Sequence, residues 1–166
     1  SDGPDQNQTV TITATDSDGA SSNTTFALVV NNAAPTVGRD SATVIFDEGQ
    51  TATNTGTFGD VGNDVVTLSA SVGTVTQNAN GTWSWSFGTS DGPDQNQTVT
   101  ITATDSDNAS SITTFALEVD NVAPTVARNS ETVTVPEGQT ATNTGTFGDA
   151  GNDAVRLTAS VGTVTK

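Results

Sequence analysis

The chain contains no cysteine, no histidine, no methionine and no tyrosine. The absence of cysteine excludes disulfide cross-links, thiolate nucleophiles and zinc–thiolate sites. The absence of histidine removes the usual general base of acyl-transfer catalysis. Lysine occurs only at position 166, so isopeptide cross-linking inside the sequence is excluded as well. We therefore expect that the protein is not an enzyme.

Positive charge is also scarce, because 4 basic residues face 19 acidic ones and give a formal net charge of −15. Such a chain is repelled by nucleic-acid phosphates and by anionic membranes, so neither is an expected partner. No apolar run approaches the roughly 20 residues of a membrane span, and membrane insertion is not expected. A chain with this net charge is expected to attract cations.

An internal repeat dominates what is present. The segment SDGPDQNQTVTITATDSD begins at Ser1 and again at Ser90, and residues 1–77 differ from residues 90–166 at 16 of 77 positions. A period of 89 residues is too long for a solenoid and suits a small β-sandwich domain.

Repeat boundaries are indicated by NAAPTV and NVAPTV, in which a proline follows an apolar strand and marks a strand start or edge. We predict the C-terminal part of one repeat (strands F and G) in 1–33, a complete repeat in 34–122, and the N-terminal part of the next (strands A to D) in 123–166. The chain is then a section of a longer array.

Strict alternation of apolar and polar residues predicts half-buried β-strands, and helical periodicity is missing. The predicted strands of the complete repeat are A (36–46, broken near Asp40), B (51–58), C (65–71), D (73–77), E (82–87), F (98–104) and G (112–119). Seven such strands in 89 residues predict an all-β, antiparallel, immunoglobulin-like sandwich.

The alternation also predicts which side chains face the core. The expected inward residues are Val66, Leu68, Ala70, Trp83, Trp85, Phe87, Val99, Ile101, Ala103, Phe115, Leu117 and Val119. Several differences between the copies, such as Val29 against Glu118 and Thr67 against Arg156, fall on the outward face, as this register requires. Asn54 alternates with inward residues, and we favour a buried amide with backbone partners over an edge position.

The segments NVAPTV, EGQTATNTGTFGDAGND and TVTITATDSDGASSNTTFALVVNN resemble the bacterial PKD-like and related immunoglobulin-like tandem repeats of large surface and adhesin proteins. The resemblance covers the whole chain, although WSWSFGTSDG stands where standard PKD modules have a WDFGDG-type motif. It implies an extracellular spacer, adhesin extender or accessory module, in some members with calcium near the domain joint.

Aspartates are expected to converge at one end of the complete repeat. If the strands alternate in direction, the B–C loop with Asp60 and Asp64, the F–G loop with Asp105 and Asp107, and the linker with Asn32 share one pole. Carboxylate and amide oxygens are the ligands that Ca²⁺ prefers, so we predict a Ca²⁺ site there. The repeat counterparts of these aspartates are Asp149, Asp153, Asp16 and Asp18.

Ordinary turn chemistry is the alternative for these residues, because Asp and Asn cap turns through their own backbone. The exchange of Gly19 for Asn108 between copies predicts a turn position with positive φ. A second acidic region at the opposite pole comprises SDGPDQNQ (90–97) and DEGQ (47–50), whose counterpart is PEGQ (136–139). We expect Asp91 or Asp94 to help close a site at the linker.

The expected function is that of a structural spacer, extender or fibre module of a repetitive extracellular bacterial protein, stiffened by Ca²⁺ at its joints. Its partners would be neighbouring repeats or other copies in a fibre. The alternative is a recognition module that binds polysaccharide or another surface protein.

Overall fold

The computed structural model describes residues 3–62 and 64–166 of the chain. A short 3₁₀ turn, Gly3–Gln6, precedes the strands. The strands are β1 (Gln8–Thr15), β2 (Ser21–Leu28), β3 (Thr36–Arg39), β4 (Thr43–Asp47), β5 (Thr51–Gly59), β6 (Thr67–Ala70), β7 (Thr74–Gln77), β8 (Thr82–Gly88), β9 (Gln97–Thr104), β10 (Ser110–Asp120), β11 (Thr125–Arg128) and β12 (Gly145–Gly148). No described helix has the length and apolarity that crossing a bilayer requires.

Eight of these strands form two four-stranded sheets, in the orders β3-β5-β8-β7 and β4-β10-β9-β6. The pairs β3–β5, β7–β8 and β6–β9 are antiparallel, whereas β4 and β10 are parallel. The sheets meet through Trp85 on β8 and Phe115 on β10, whose rings are 5.0 Å apart in an edge-to-face arrangement. This is an immunoglobulin-like β-sandwich, as the alternation predicted.

The predicted first strand is divided between the two sheets. β3 ends at Arg39 and β4 begins at Thr43, so the predicted break near Asp40 is confirmed. β3 pairs with β5 in one sheet and β4 pairs with β10 in the other. The chain therefore changes sheets at this break.

The core register is also confirmed. Four of these residues are completely buried: Trp83, Val99, Ile101 and Ala103. Four more are at most 2% exposed: Trp85, Phe115, Leu117 and Val119. Val66, Leu68, Ala70 and Phe87 are half-buried, and the outward positions Val65, Thr67, Ser69 and Glu118 are exposed. Alternation placed the side chains correctly because a sandwich strand has one face against the core and one against solvent.

Buried polar groups in this core have partners. Asn54 is 6% exposed, and its side chain donates to Ser41 O at 3.0 Å and accepts from Ser41 N at 3.3 Å. The favoured interpretation of a buried amide with backbone partners is therefore confirmed. The indole Nε1 atoms of Trp83 and Trp85 donate to Gly38 O and Val72 O, so both rings are satisfied core residues.

By contacts the chain groups into two compact units. The first unit comprises 1–42, 53–86 and 99–115, and the second comprises 43–52, 87–98 and 116–166. The two four-stranded sheets lie within Thr36–Asp120, and the two-stranded sheets β1–β2 and β11–β12 lie outside that range. The domain boundaries at 33 and 122 remain a prediction.

Gly56 provides a test of the packing around Trp83. A Cβ at this position would lie 2.6 Å from Trp83 Cε2 and Cζ2 and would also meet Gly38 O. We expect Gly56→Ala to lower the free energy of unfolding by about 1–3 kcal/mol through overpacking. Urea denaturation followed by tryptophan fluorescence measures this change.

The matched control is Gly59→Ala on the same strand, where the nearest atom to an added Cβ is Thr36 Oγ1 at 3.9 Å. We expect this variant to stay within about 0.5 kcal/mol of the wild type. Equal stability of the two variants would contradict the packing described for Gly56.

Candidate metal centres at two acidic clusters

The first cluster lies in the first unit and consists of Asn32, Asp60, Asp64, Asp105 and Asp107. The loop after β5 supplies Asp60 and Asp64, the turn between β9 and β10 supplies Asp105 and Asp107, and Asn32 follows β2. Asp105 is 5% exposed, and its Oδ2 accepts from Asn32 Nδ2 at 2.9 Å. The linker side chain and the turn carboxylate are thus in direct contact.

Three oxygen atoms of the first cluster lack a partner. Asn32 Oδ1, Asp60 Oδ2 and Asp107 Oδ2 are each inaccessible to water and accept no hydrogen bond from the described residues. An inaccessible acceptor without a partner is destabilising, and more so when it is charged. Buried oxygens from three separate segments fit the oxygen-rich coordination that Ca²⁺ takes.

Neighbouring negative charges in this cluster affect the pKa of Asp107. Partial desolvation raises the pKa of Asp107, and the nearby charges of Asp64, Asp5 and Asp105 raise it further. A Cβ on Gly3 would lie 2.5 Å from Asp107 Oδ2, so the backbone of Gly3 covers this carboxylate. Burial and like charges therefore act together on one oxygen-bearing group.

Turn chemistry accounts for some of the remaining oxygens. Asp60 Oδ1 accepts from Gly62 N at 2.8 Å, Asp105 Oδ1 accepts from Ala109 N at 2.8 Å, and Asp64 Oδ1 accepts from Ser106 Oγ at 2.7 Å. Each of these aspartates therefore uses one oxygen within the loops. The second oxygen of Asp60 is left without a partner.

The second cluster lies in the second unit and has Glu48, Asp149 and Asp153 at its centre. One carboxylate oxygen from each of these residues lies within 4.8 Å of the others, and no other group of three metal-ligating acidic side chains is this compact in residues 3–62 and 64–166. Asp149 and Asp153 were predicted as metal ligands from their sequence equivalence to Asp60 and Asp64. The predicted site residues Asp60, Asp64, Asp105 and Asp107 do not form an equally tight carboxylate group.

Glu48 is the site residue that sequence reasoning missed as a ligand. It is 1% exposed, and its Oε2 accepts from Gly92 N at 3.0 Å while its Oε1 accepts from Val122 N at 2.8 Å. A buried carboxylate needs charge compensation as well as hydrogen bonds. The only sequence signal was its position in the DEGQ turn at the end of β4, which looks like any polar turn.

Negative charge surrounds Asp153 as it does Asp107. Desolvation raises the pKa of Asp153, and the charges of Glu48, Asp91, Asp149 and Asp94 add to the effect in that order. In the part of the chain that the structure describes, the one ion pair joins Arg128 to Glu131, so neither cluster has a basic partner. The charges of Asp91 and Asp94 act on Asp153, and their role in closing a site at the linker stays a prediction.

Close packing joins the loop of Asp149 to the loop that follows β8. Asn152 N donates to Ser90 O at 2.7 Å, and a Cβ on Gly151 would overlap the carboxylate of Glu48 and lie 3.0 Å from Ser90 O. Only glycine fits at this point of approach.

Asp16 and Asp18 serve the turn between β1 and β2. Asp16 Oδ1 accepts from Asp18 N at 3.0 Å and from Ala20 N at 2.8 Å, and both aspartates are exposed. Gly19 has a φ of 89° and its counterpart Asn108 has a φ of 71°, which confirms the predicted positive φ. Their assignment as metal ligands stays a prediction.

Comparison with protein-family models gave no match, and neither did comparison with curated proteins. Among solved structures, the titin domains Z1Z2 in complex with telethonin are similar at a TM-score of 0.45 and 16% identity, over 70% of this chain and 62% of that one. The titin immunoglobulin tandem A164–A165 is similar at a TM-score of 0.39 and 10% identity, over 71% and 64%. The chain thus spans less than two thirds of the length of these structures.

The raised pKa of Asp107 gives a pH dependence in the presence of chelator. Because the folded protein holds this proton more tightly than the unfolded chain, with its ordinary pKa of 3.8, the contribution of Asp107 to stability falls as the pH rises through the raised pKa. We expect Asp107→Asn to remove this contribution, so that the free energy of unfolding declines less between acidic pH and about pH 7.

Urea unfolding at a series of pH values, with chelator throughout, measures the slope. Asp18→Asn is the matched control, since Asp18 is the repeat counterpart of Asp107 on an exposed turn. If the Asp107→Asn slope equals that of the wild type, the repulsion described at Asp107 is absent in solution.

Proposed function

We propose that the protein is a spacer segment of a repetitive extracellular bacterial protein, in which Ca²⁺ stiffens the joints between successive immunoglobulin-like repeats. The observation that carries the proposal is the set of buried oxygens of Asn32, Asp60 and Asp107, which have no partner and lie beside a linker. Its expected partners are neighbouring repeats and other copies in a fibre, and we propose no catalytic activity.

Linker contacts in both units support a mechanical role. In the first unit, Asn32 of the linker donates to Asp105 of the turn before β10. In the second unit, Val122 of the linker donates to Glu48. A cation bound to these carboxylates would fix the linker backbone and remove hinge freedom, because it would hold groups from separate segments in one coordination shell.

Near-identity of the two copies also favours a spacer. The residues of both acidic clusters and Asn32 have identical counterparts where the other copy contains them, whereas the 16 differences are spread over strands, turns and connecting segments. A spacer needs repeated joints of equal geometry and places no demand on its outer face. Localisation outside the cell is part of this proposal.

Recognition of polysaccharide or of another surface protein is the alternative. Sugar binding by tryptophan stacking receives no support, because Trp83 and Trp85 are buried and their indole nitrogens donate to backbone carbonyls. We therefore place the spacer function first.

Thermal unfolding and small-angle scattering with Ca²⁺ or chelator test the proposal. At a free concentration about 100-fold above its dissociation constant, Ca²⁺ should stabilise the folded chain by about 2.7 kcal/mol. For a chain of this size, that stabilisation raises Tm by several degrees. The distribution of maximum dimensions measured by scattering should narrow, because the joints lose hinge freedom. If Ca²⁺ changes neither quantity, the calcium-stiffened spacer is ruled out.

A matched pair of variants separates metal binding from turn chemistry. Asp105 and Asp16 are repeat counterparts, and each caps its turn through Oδ1, to Ala109 N and Ala20 N respectively. Asp105→Asn should reduce the Ca²⁺-dependent rise in Tm, whereas Asp16→Asn should leave it unchanged. If both variants reduce the Ca²⁺-dependent rise in Tm equally, the loss comes from the turns and not from metal binding.

A further inference from the structure

The β1–β2 hairpin exposes side chains that the same sequence buries elsewhere in the chain. β1 and β9 share the sequence QTVTITAT, and β2 and β10 both contain TTFAL. On the hairpin, Ile12 is 54% exposed, Phe26 is 53% exposed and Leu28 is 38% exposed. Their counterparts on β9 and β10 are at most 2% exposed: Ile101, Phe115 and Leu117. One face of the hairpin is therefore a core face that the described residues leave uncovered.

Residues 123–166 are in the complementary condition. Val44 and Ala52 are buried, whereas their counterparts Val133 and Ala141 are exposed. The counterparts of β4 and β6 are residues 132–136 and 156–159, and neither of these segments forms a strand. This part of the chain therefore carries exposed core residues and two strand sequences that have not joined a sheet.

The sheet β4-β10-β9-β6 shows how the two parts fit together. In it, β4 lies parallel to β10 with Val44 opposite Leu117, and β6 lies antiparallel to β9. The hairpin is the counterpart of the central pair β9–β10, and among the described strands neither of its outer edges has a neighbour. By the same register, residues 132–136 fit beside β2 and residues 156–159 fit beside β1. β8 belongs to the other sheet, so this pairing does not require a counterpart of β8.

We propose that residues 123–166 of one copy of this chain pack on the β1–β2 hairpin of a second copy. The two copies then share one four-stranded sheet in the order 132–136, β2, β1, 156–159. Because the two surfaces differ and every copy carries both, the contact is heterologous and copies add one after another. This contact needs no cation, so it goes beyond the proposed spacer function.

The uncovered surface is large enough for a stable contact. The accessible surface of the chain is 10939 Å², whereas a compact folded chain of 16.7 kDa exposes about 7,600 Å². The difference is about 3,300 Å², and a stable interface between two proteins buries about 1,200–2,000 Å² in total. Each copy takes part in two contacts and contributes about half of the area of each, so the excess surface is sufficient for both.

Charge does not oppose the contact, although the chain carries a net charge of −15. Neither Gln8–Thr15 nor Ser21–Leu28 contains a charged residue. Residues 132–136 are also uncharged, and residues 156–159 contain one basic residue and no acidic one. The strands that pair between copies are therefore free of acidic side chains.

Differences between the repeat copies are compatible with this register. The inward residues of the hairpin are identical to those of β9 and β10, and the exchange of Ile112 for Asn23 lies on the outward face. Pro136 takes the place of Asp47, the last residue of β4. A proline is tolerated at the end of an edge strand, because its missing N–H is not required there.

Sedimentation of the full chain in chelator, from about 1 µM to about 1 mM, tests the proposal. The average mass should rise with concentration beyond that of two copies. Phe26→Asp should weaken the association at least about tenfold, because it places a charge at the centre of the contact. Thr25→Asp is the matched control, since it adds the same charge at the adjacent exposed residue on the opposite face of β2. This control should associate like the wild type.

Val133→Asp damages the other surface, and Val133 is exposed like Phe26, so neither variant buries a charge when the single chain folds. Each variant keeps one intact surface. An equimolar mixture of Phe26→Asp and Val133→Asp should therefore form complexes of two copies and none larger. If the hairpins instead paired with each other, Val133→Asp would associate like the wild type and the mixture would not recover the lost contact.

A chain that stays monomeric at every concentration overturns the proposal, as it would if residues 123–166 covered the hairpin of their own copy. Association that requires Ca²⁺, or that Thr25→Asp weakens as much as Phe26→Asp, overturns it as well. In each case the spacer function can stand, because it is judged by the Ca²⁺-dependent rise in Tm. Association in chelator without any effect of Ca²⁺ on Tm would remove the spacer function and leave the contact between copies in place.

Discussion

Uncompensated negative charge at the linkers is the constraint on which the other features of this protein depend. Glu48, Asp149 and Asp153 bring carboxylate oxygens within 4.8 Å of one another, and neither cluster forms an ion pair with a basic residue among the described residues. Such crowding is unfavourable without a cation, because desolvation and repulsion both penalise the charged forms. Because the chain has four basic residues, it can form few ion pairs that would offset this repulsion.

The β-sandwich holds the loops of the first cluster in place. Trp85 and Phe115 connect the sheets, and the strands end in the loops that carry the acidic residues. Asp60 follows β5 and Asp105 follows β9, so paired strands of the sandwich position these two carboxylates of the first cluster. In the first unit Asn32 donates to Asp105, and in the second unit Val122 donates to Glu48, so each cluster is bonded to a segment that lies outside its own loops.

Local periodicity explains why most of the fold could be predicted. Alternation in TVTITAT and TWSWSF fixed which residues face the core, because a strand presents successive side chains to opposite faces. The buried amide of Asn54 was predictable from the same pattern. Glu48 was not, since its partners Val122 and Asp149 are distant in sequence and nothing local distinguishes a buried glutamate in an EGQ turn from the exposed Glu137.

The identical segments TVTITAT in the two copies separate what the sequence determines from what tertiary structure decides. In these segments the sequence by itself determined the alternation of side chains, and it determined the positive φ at Gly19 and Asn108, because both depend on local sterics. Strand formation depended on tertiary pairing as well: β6 (Thr67–Ala70) pairs with β9, whereas its counterpart, residues 156–159, forms no strand. Burial was decided by tertiary contacts: Ile101 is 0% exposed, whereas its counterpart Ile12 is 54% exposed. β9 lies inside a four-stranded sheet, whereas β2 is the one partner of β1 among the described strands, so the same side chain is covered in one place and uncovered in the other. The acidic clusters follow the same rule, because their carboxylates come from distant segments and only the folded chain brings them together.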